Sequence, residues 1–154
     1  MTQALHIRPA EESDLQVLLD LYAHLDARDL RCPPDEAIRV FRRFQLYPGS
    51  TILVGFVGKT MVTSCTLVVI PNLTRGGRSY GLIENVVTHS HYRNRGFGKA
   101  LLDAAAERAW AEDCYKVMLM TGSKTPATLA FYASAGFEQT KTGFQMRRHP
   151  AREG

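Results

Sequence analysis

Between His91 and Leu102 the chain reads HYRNRGFGKALL, so that Arg93, Arg95 and Lys99 surround Asn94, Gly96, Phe97 and Gly98 just ahead of an apolar helical pattern. A helix N-terminus presents backbone N–H groups without intrahelical partners and a partial positive charge, which suits a phosphate. Gly96 and Gly98 let the main chain approach a ligand closely and take dihedrals that side chains forbid. The three cations add attraction and hydrogen bonds. The chemistry predicted for this segment is the holding of a pyrophosphate; the plainer alternative is a glycine-containing loop with a solvated basic face. Two other nucleotide motifs fail on spacing. The NTPase phosphate loop needs Ser or Thr after its lysine, where this chain has Ala100, and the dinucleotide fingerprint needs a third glycine where Leu101 stands.

The elements that must position this segment follow from hydrophobic period. Leu5 and Ile7 alternate with polar neighbours up to Pro9, a short first strand. Leu15, Leu18, Leu19, Tyr22 and Leu25 recur at helical spacing behind an acidic first turn, and Pro34 opens a second helix that carries Ile38, Phe41 and Phe44 and stops at Pro48-Gly49. From Ser50 to Asn72 two strands are joined at Gly58-Lys59, and Tyr80–Thr88 is a further strand. A helix over Ala100–Ala111 buries Leu101, Leu102, Ala105 and Ala109. Tyr115–Met120 is apolar enough for a strand buried on both faces, which makes Met118 and Met120 strand residues. A last helix ends at Gly136, and a strand pair turning near Thr142-Gly143 completes a mixed α/β order with no internal repeat.

At 154 residues and 45% apolar side chains the chain fits one domain, 1–154, with the ends 1–3 and 150–154 expected to be flexible. The net charge of +4 favours an anionic ligand. That excess, with its arginines scattered among separate segments, suits a small polyanion better than nucleic acid, which is not expected as a partner. Cys32, Cys65 and Cys114 are odd in number and lack metal-site spacing, so they read as filler and no metal is expected. The N-terminal residues lack an apolar signal core and no run approaches a membrane span, so the expectation is a cytoplasmic protein with reduced thiols and no membrane partner.

The order of elements and the loop together resemble the GNAT superfamily of N-acetyltransferases. Its signature is Arg or Gln, two residues, Gly, one residue, then Gly or Ala, and it matches Arg93, Gly96 and Gly98. A second family feature, an aromatic-Tyr pair followed by Gly-Phe, is present in FYASAGF from Phe131 to Phe137. The resemblance covers nearly the whole chain. It implies an α/β fold with a mostly antiparallel central sheet of about seven strands, about four helices, and fourth and fifth strands that splay apart. It also implies acetyl-CoA as the acetyl donor, with pyrophosphate on the amides from Arg93 to Lys99. The pantetheine arm would then lie along the backbone of Val86 and Val87 like an added strand. Asn94 replaces the family's usual glycine, and asparagine tolerates left-handed dihedrals. Thr125 stands seven residues before the tyrosine, where many members carry an asparagine, and leaves that pantetheine contact open. Homodimers are common among such proteins, and the resemblance allows one here.

Acetyl transfer to an amine needs a neutral nucleophile, a stabilised oxyanion and a proton for the departing thiolate. Glu84, in LIENVV, resembles the family's strand-borne glutamate that takes the amine proton directly or through water. Apolar walls would raise its proton affinity toward neutrality; the alternative is an exposed strand residue paired with a neighbouring cation. Asn85 faces the other way unless a bulge intervenes. Tyr132 is the candidate acid, its alternative being a packed aromatic beside Phe131, and an N–H near Val87 would serve the oxyanion. His89 and His91 read as solvated or near the coenzyme phosphates. Arg28, Arg31, Arg75 and Arg78 suggest an acceptor carrying a carboxylate or phosphonate, with Arg75 and Arg78 as the candidate binding residues, against the alternative of solvated surface charge. The expected activity is acetylation of a primary amine of a small molecule by direct attack on the thioester; the competing reading is a non-catalytic acyl-CoA-binding sensor or partner module with the same fold.

Overall fold

A computed structural model describes residues 3–150, which fall into two compact units that divide between Leu119 and Met120. The ends expected to be flexible lie outside the described residues apart from Gln3 and Pro150, neither of which has regular secondary structure. The first unit holds β1 (Leu5–Pro9), α1 (Leu15–Tyr22), α2 (Pro34–Phe44), β2 (Thr51–Val57), β3 (Thr60–Ile70), β4 (Tyr80–Thr88), α3 (Phe97–Ala111) and β5 (Val117–Leu119). The five strands form one sheet in sequence order, antiparallel throughout except for the parallel β4–β5 pair.

Alternation decides which side chains meet which helices. On one face Val54, Met61 and Val87 pack with Leu15, Leu18 and Leu21 of α1 and Ala37 and Phe41 of α2. On the other lies α3, whose Leu101, Leu102, Ala105 and Ala109 are all buried and whose Ala109 approaches Gly81 of β4. Each fully buried leucine contributes about 1.5–3 kcal/mol relative to exposure. Gly81 has a packing reason to be glycine: an added Cβ would sit 3.1 Å from Leu67 and 3.4 Å from Ala109.

One irregularity in the sheet bears on everything that follows. Thr66 pairs with Glu84, but Ser64 pairs with Val87, so β4 carries one residue more than β3 over this interval, and Asn85 absorbs it at φ 54°. Thr66 and Ser64 share a face. Their partners Glu84 and Val87 therefore share it too, the face on which α1 and α2 pack, although a regular strand would have put them on opposite sides. The β4–β5 ladder ends at Ile83↔Leu119, immediately before the bulge, while β4 continues to Thr88.

Several local expectations need correction. α1 stops at Tyr22 and Leu25 is 49% exposed, because the chain turns away at Ala23 before the last apolar position can reach the core. β5 is half-buried along its whole length rather than buried on both faces, since it is the last strand of the sheet, and Met120 lies beyond it at 64% exposure. The strand count is five among the described residues rather than about seven, because Phe137 to Arg148 forms no strand pair. Phe144 and Met146 alternate as a strand would, yet they are 93% and 99% exposed. A two-stranded hairpin is marginal in water without a sheet to extend, and alternation alone does not supply one.

The second unit contains α4 (Pro126–Ser134). Thr125 caps it by accepting from the Thr128 N–H, and Pro126 takes the first helical turn. At the other end Gly136 takes φ 95°, and the Phe137 N–H returns to the Tyr132 carbonyl, closing the helix at the glycine the sequence marks.

Candidate active site

The turn between β4 and α3 is built from left-handed residues. Asn94 takes φ 62° and Gly96, the N-cap of α3, takes φ 81°. No side chain caps α3 and no acid occupies its first turn, so its leading amides keep their donor capacity and their partial positive charge. Phe97 is buried and anchors the helix start, while Arg95, Gly96 and Lys99 are exposed and Gly98 is half-buried. This arrangement fits a diphosphate. A Cβ on Gly96 would meet nothing within 4 Å, so the glycine is required by its dihedral and not by crowding. Gly96→Val is therefore expected to cost about 1–2 kcal/mol through left-handed strain alone, read as a fall in Tm of roughly 2–8 °C by thermal denaturation.

The cations of the turn divide their work. Arg93 is turned onto the protein: its Nε donates to the Thr88 carbonyl at 3.1 Å and its Nη2 to the His24 carbonyl at 3.0 Å. Arg95 donates to the His91 carbonyl at 3.1 Å and lies over the Tyr92 ring at 5.0 Å. Both keep their charge beside the turn, but part of their donor capacity holds the loop in shape.

Glu84 is exposed on β4. Opposite it, Thr66 is buried and bonded to the Tyr22 hydroxyl, and burial pushes the Tyr22 phenol above its ordinary value. Val86 is half-buried and Val87 is 4% exposed. The Val87 carbonyl accepts from Thr63 Oγ1 at 2.9 Å, which fixes the peptide beyond the bulge. In the second unit Tyr132 is half-buried, its ring 5.0 Å from Phe131 and edge-on to Phe137 at 6.4 Å. Thr125 is spent on the α4 cap and on Thr128 and Ser123 hydroxyls at 2.9 and 3.2 Å.

At the start of β4, Arg75 lies over the Tyr115 ring at 5.9 Å, and the Lys116 ammonium lies 5.3 Å from Tyr115 and 5.4 Å from Tyr80. Burial pushes the Tyr115 phenol upward, but hydrogen bonding and charge from Lys116 and Arg75 outweigh it and hold the phenol below its ordinary value. Arg75 itself is strained at φ 55°. Arg78 is exposed, its N–H reaching the Arg75 carbonyl at 3.4 Å. Sequence reasoning did not single out Lys116, Tyr115, Tyr22 or His24 as site candidates; they meet Tyr80, Arg75, Thr66 and Arg93 through tertiary contacts and carry no local signal.

The GNAT acetyltransferase family model matches residues 18–137. The chain belongs to the GNAT acetyltransferase family. A Trypanosoma brucei brucei glucosamine 6-phosphate N-acetyltransferase is 35% identical over 138 residues, which is 86% of this chain and 88% of that protein. A rice (Oryza sativa subsp. japonica) enzyme, glucosamine 6-phosphate N-acetyltransferase 1, is 32% identical over 145 residues, 88% of this chain and 82% of its own. A solved structure from Agrobacterium tumefaciens str. C58, assigned to the acetyltransferases, superposes with TM-score 0.88 at 45% identity over 93% of this chain and 99% of that one. The protein is thus an N-acetyltransferase with the α/β GNAT fold. Among the described residues no group of His, Cys, Asp or Glu could hold a metal, and no helix is long and apolar enough to cross a membrane.

Proposed function

We propose that this GNAT enzyme moves an acetyl group from acetyl-CoA to the primary amine of a small anionic molecule, an amino-sugar phosphate such as glucosamine 6-phosphate being the first candidate. The observation that carries the reading is the β4 bulge at Asn85 followed by the left-handed turn at Asn94 and Gly96. The first brings Glu84 and Val87 to one face, and the second leaves the amides from Asn94 to Lys99 available to a diphosphate. The ladder that stops at Ile83 leaves the later part of β4 an edge along which Val86 and Val87 pair with an extended pantetheine. The family match, which runs across both units, supports reading the chain as one N-acetyltransferase domain.

Acetyl-CoA supplies an activated acyl group when bound. Glu84 takes the proton from the amine as the new C–N bond forms, directly or through one water, and an N–H near Val87 bonds the carbonyl oxygen as it gains charge. Tyr132 gives its proton to the sulfur as the C–S bond breaks. Burial pushes the Cys65 thiol up to about 12, and burial with the charges of Glu112 and Asp113 holds the Cys114 thiol above its ordinary value, which disfavours either of these two as the nucleophile of a cysteine relay.

Release of free thiol, followed with acetyl-CoA against a panel of amino sugars, their 6-phosphates, amino acids, aminophosphonates and aminoglycosides, tests the reading; no transfer to any amine would refute it. We assign the acceptor's anion to Arg75 and Arg78, and add Lys116 because it lies against the same Tyr115 ring as Arg75. Arg75→Gln combined with Arg78→Gln is expected to raise the KM of a phosphorylated acceptor by at least tenfold, the cost of losing one charge-assisted bond, and to leave an uncharged acceptor unaffected. Equal KM values for the phosphorylated acceptor before and after substitution would remove these residues from the site.

A further inference from the structure

The entrance to the phosphate turn is held by two stacked histidines. His24, just past α1, and His89, just past β4, lie with ring centroids 4.0 Å apart and planes 35° from parallel. Each ring accepts a backbone hydrogen bond through Nδ1: the Ser90 N–H reaches His24 at 3.3 Å, and the His91 N–H reaches His89 at 3.1 Å. The His24 carbonyl accepts from Arg93 Nη2 at 3.0 Å, and Arg93 Nε holds Thr88. His24 is thus tied twice to the segment that leads from β4 into the turn, although 66 residues separate it from Ser90.

We infer that His24 is a positioning residue for the phosphate-binding turn, and that protonation of the stacked His24–His89 pair releases the turn and weakens coenzyme binding. An acceptor Nδ1 must be unprotonated, so both rings are neutral in the held state, each with its proton on Nε2. A proton added at either Nδ1 replaces an N–H···N bond with two donors facing each other. The second proton is opposed by the first across 4.0 Å. The surroundings lean the same way. His91 lies 5.1 Å from His89 with Tyr92 edge-on to it, and the Arg93 guanidinium is bound to the His24 carbonyl. Lys59 on the β2–β3 turn and Asp20 on α1 line a cavity of about 350 Å³ beside both rings, together with Val17, Leu21, Thr60 and Met61. Asp20 is the one acid in this lining, and its carboxylate is engaged by Arg31 at 2.6 Å. Burial first, then the charges of His24, His91 and Arg93, hold His89 below its ordinary value.

The sign follows from that direction. A base whose folded value is depressed contributes stability present above its unfolded value of about 6.5 and lost as pH falls through the lower folded value. The turn is therefore held at neutral pH and released in mild acid.

The binding part of this inference rests on the proposed seat of acetyl-CoA, so the test has one arm that uses the coenzyme and one that does not. In the ligand-free protein, followed by two-dimensional NMR between about pH 5 and 8, the His91 amide resonance, bonded to His89 Nδ1, is expected to shift as pH falls and the Ser90 amide, bonded to His24 Nδ1, to respond with it, with the Ser90 response lost in His24→Leu. Calorimetry with acetyl-CoA is expected to show affinity falling with pH over the same range. His24→Leu should weaken binding about three- to tenfold at neutral pH, with the loss in Kd and not in kcat at saturation. His24→Asn, which places an untitratable acceptor near the Nδ1 position, should restore neutral-pH affinity and leave a shallower pH profile, the remaining dependence coming from His89. Resonances that do not move with pH overturn the inference whether or not coenzyme binds. So does binding that is equally tight at every pH and in His24→Leu. Absence of binding at any pH, with the amides titrating, refutes the coenzyme seat and leaves the histidine latch standing.

Discussion

Glu84→Gln is expected to lower kcat by about 10²–10⁴ while leaving the Kd of acetyl-CoA within about twofold, a change near the ±0.5 kcal/mol typical of surface substitutions. Glutamine keeps the size and hydrogen-bonding reach of the side chain but cannot accept the amine's proton. The residue is exposed on β4, and its neighbour across the ladder, Thr66, is satisfied by Tyr22, so the substitution leaves no buried group without a partner. The bulge at Asn85 sets the backbone that aims the side chain, and it is untouched by the change. Steady-state kinetics paired with calorimetry separates the two effects. A variant that turns over at the wild-type rate would remove Glu84 from the mechanism, and one that loses coenzyme affinity instead would make it a binding residue.

Tyr132→Phe should produce a loss of the same order, about 10²–10⁴ in kcat, for a different reason. The ring contacts to Phe131 and Phe137 survive in phenylalanine, and the α4 backbone that carries them is capped at Thr125 and closed at Gly136 independently of the hydroxyl. What is removed is the hydroxyl, and with it the proton the sulfur would receive. A thiolate leaving a thioester needs that proton less as its thiol becomes more acidic, so a donor built on a more acidic thiol should recover part of the lost rate in Tyr132→Phe and none in Glu84→Gln. Equal recovery in both variants, or a full rate with acetyl-CoA in Tyr132→Phe, would contradict the assignment of Tyr132 as the acid.

Much of the frame was legible before any tertiary information. β1 runs over Leu5–Pro9 as its alternation predicts, β4 runs over Tyr80–Thr88 as its composition predicts, and the hairpin turns at Gly58-Lys59. α2 begins at Pro34, and α4 closes at Gly136. These signals succeed because each is a demand made by one residue on its own backbone: a proline that fits a first helical turn, a glycine that takes a positive φ, a period that matches a face. Asn94 belongs to the same class, adopting at φ 62° the left-handed conformation its side chain tolerates. The C-terminal strand pair fails for the converse reason. The alternation of Phe144 and Met146 states what a strand would bury but not whether a neighbouring strand exists, and their exposure of 93% and 99% shows the answer among the described residues.

The sequence by itself determined the family, the glycine- and arginine-bearing turn ahead of α3, and the strand that bears Glu84, because these are set by residue type and short spacing. Tertiary structure alone decided that β4 bulges at Asn85, so that Glu84 and Val87 share a face. It also decided that Arg93 spends its guanidinium on Thr88 and His24, that Lys116 joins Arg75 around Tyr115, and that His24 stacks on His89. Register, stacking and the choice of hydrogen-bond partner depend on residues far apart in the chain, and no local pattern carries that information until the sheet and its helices bring them together.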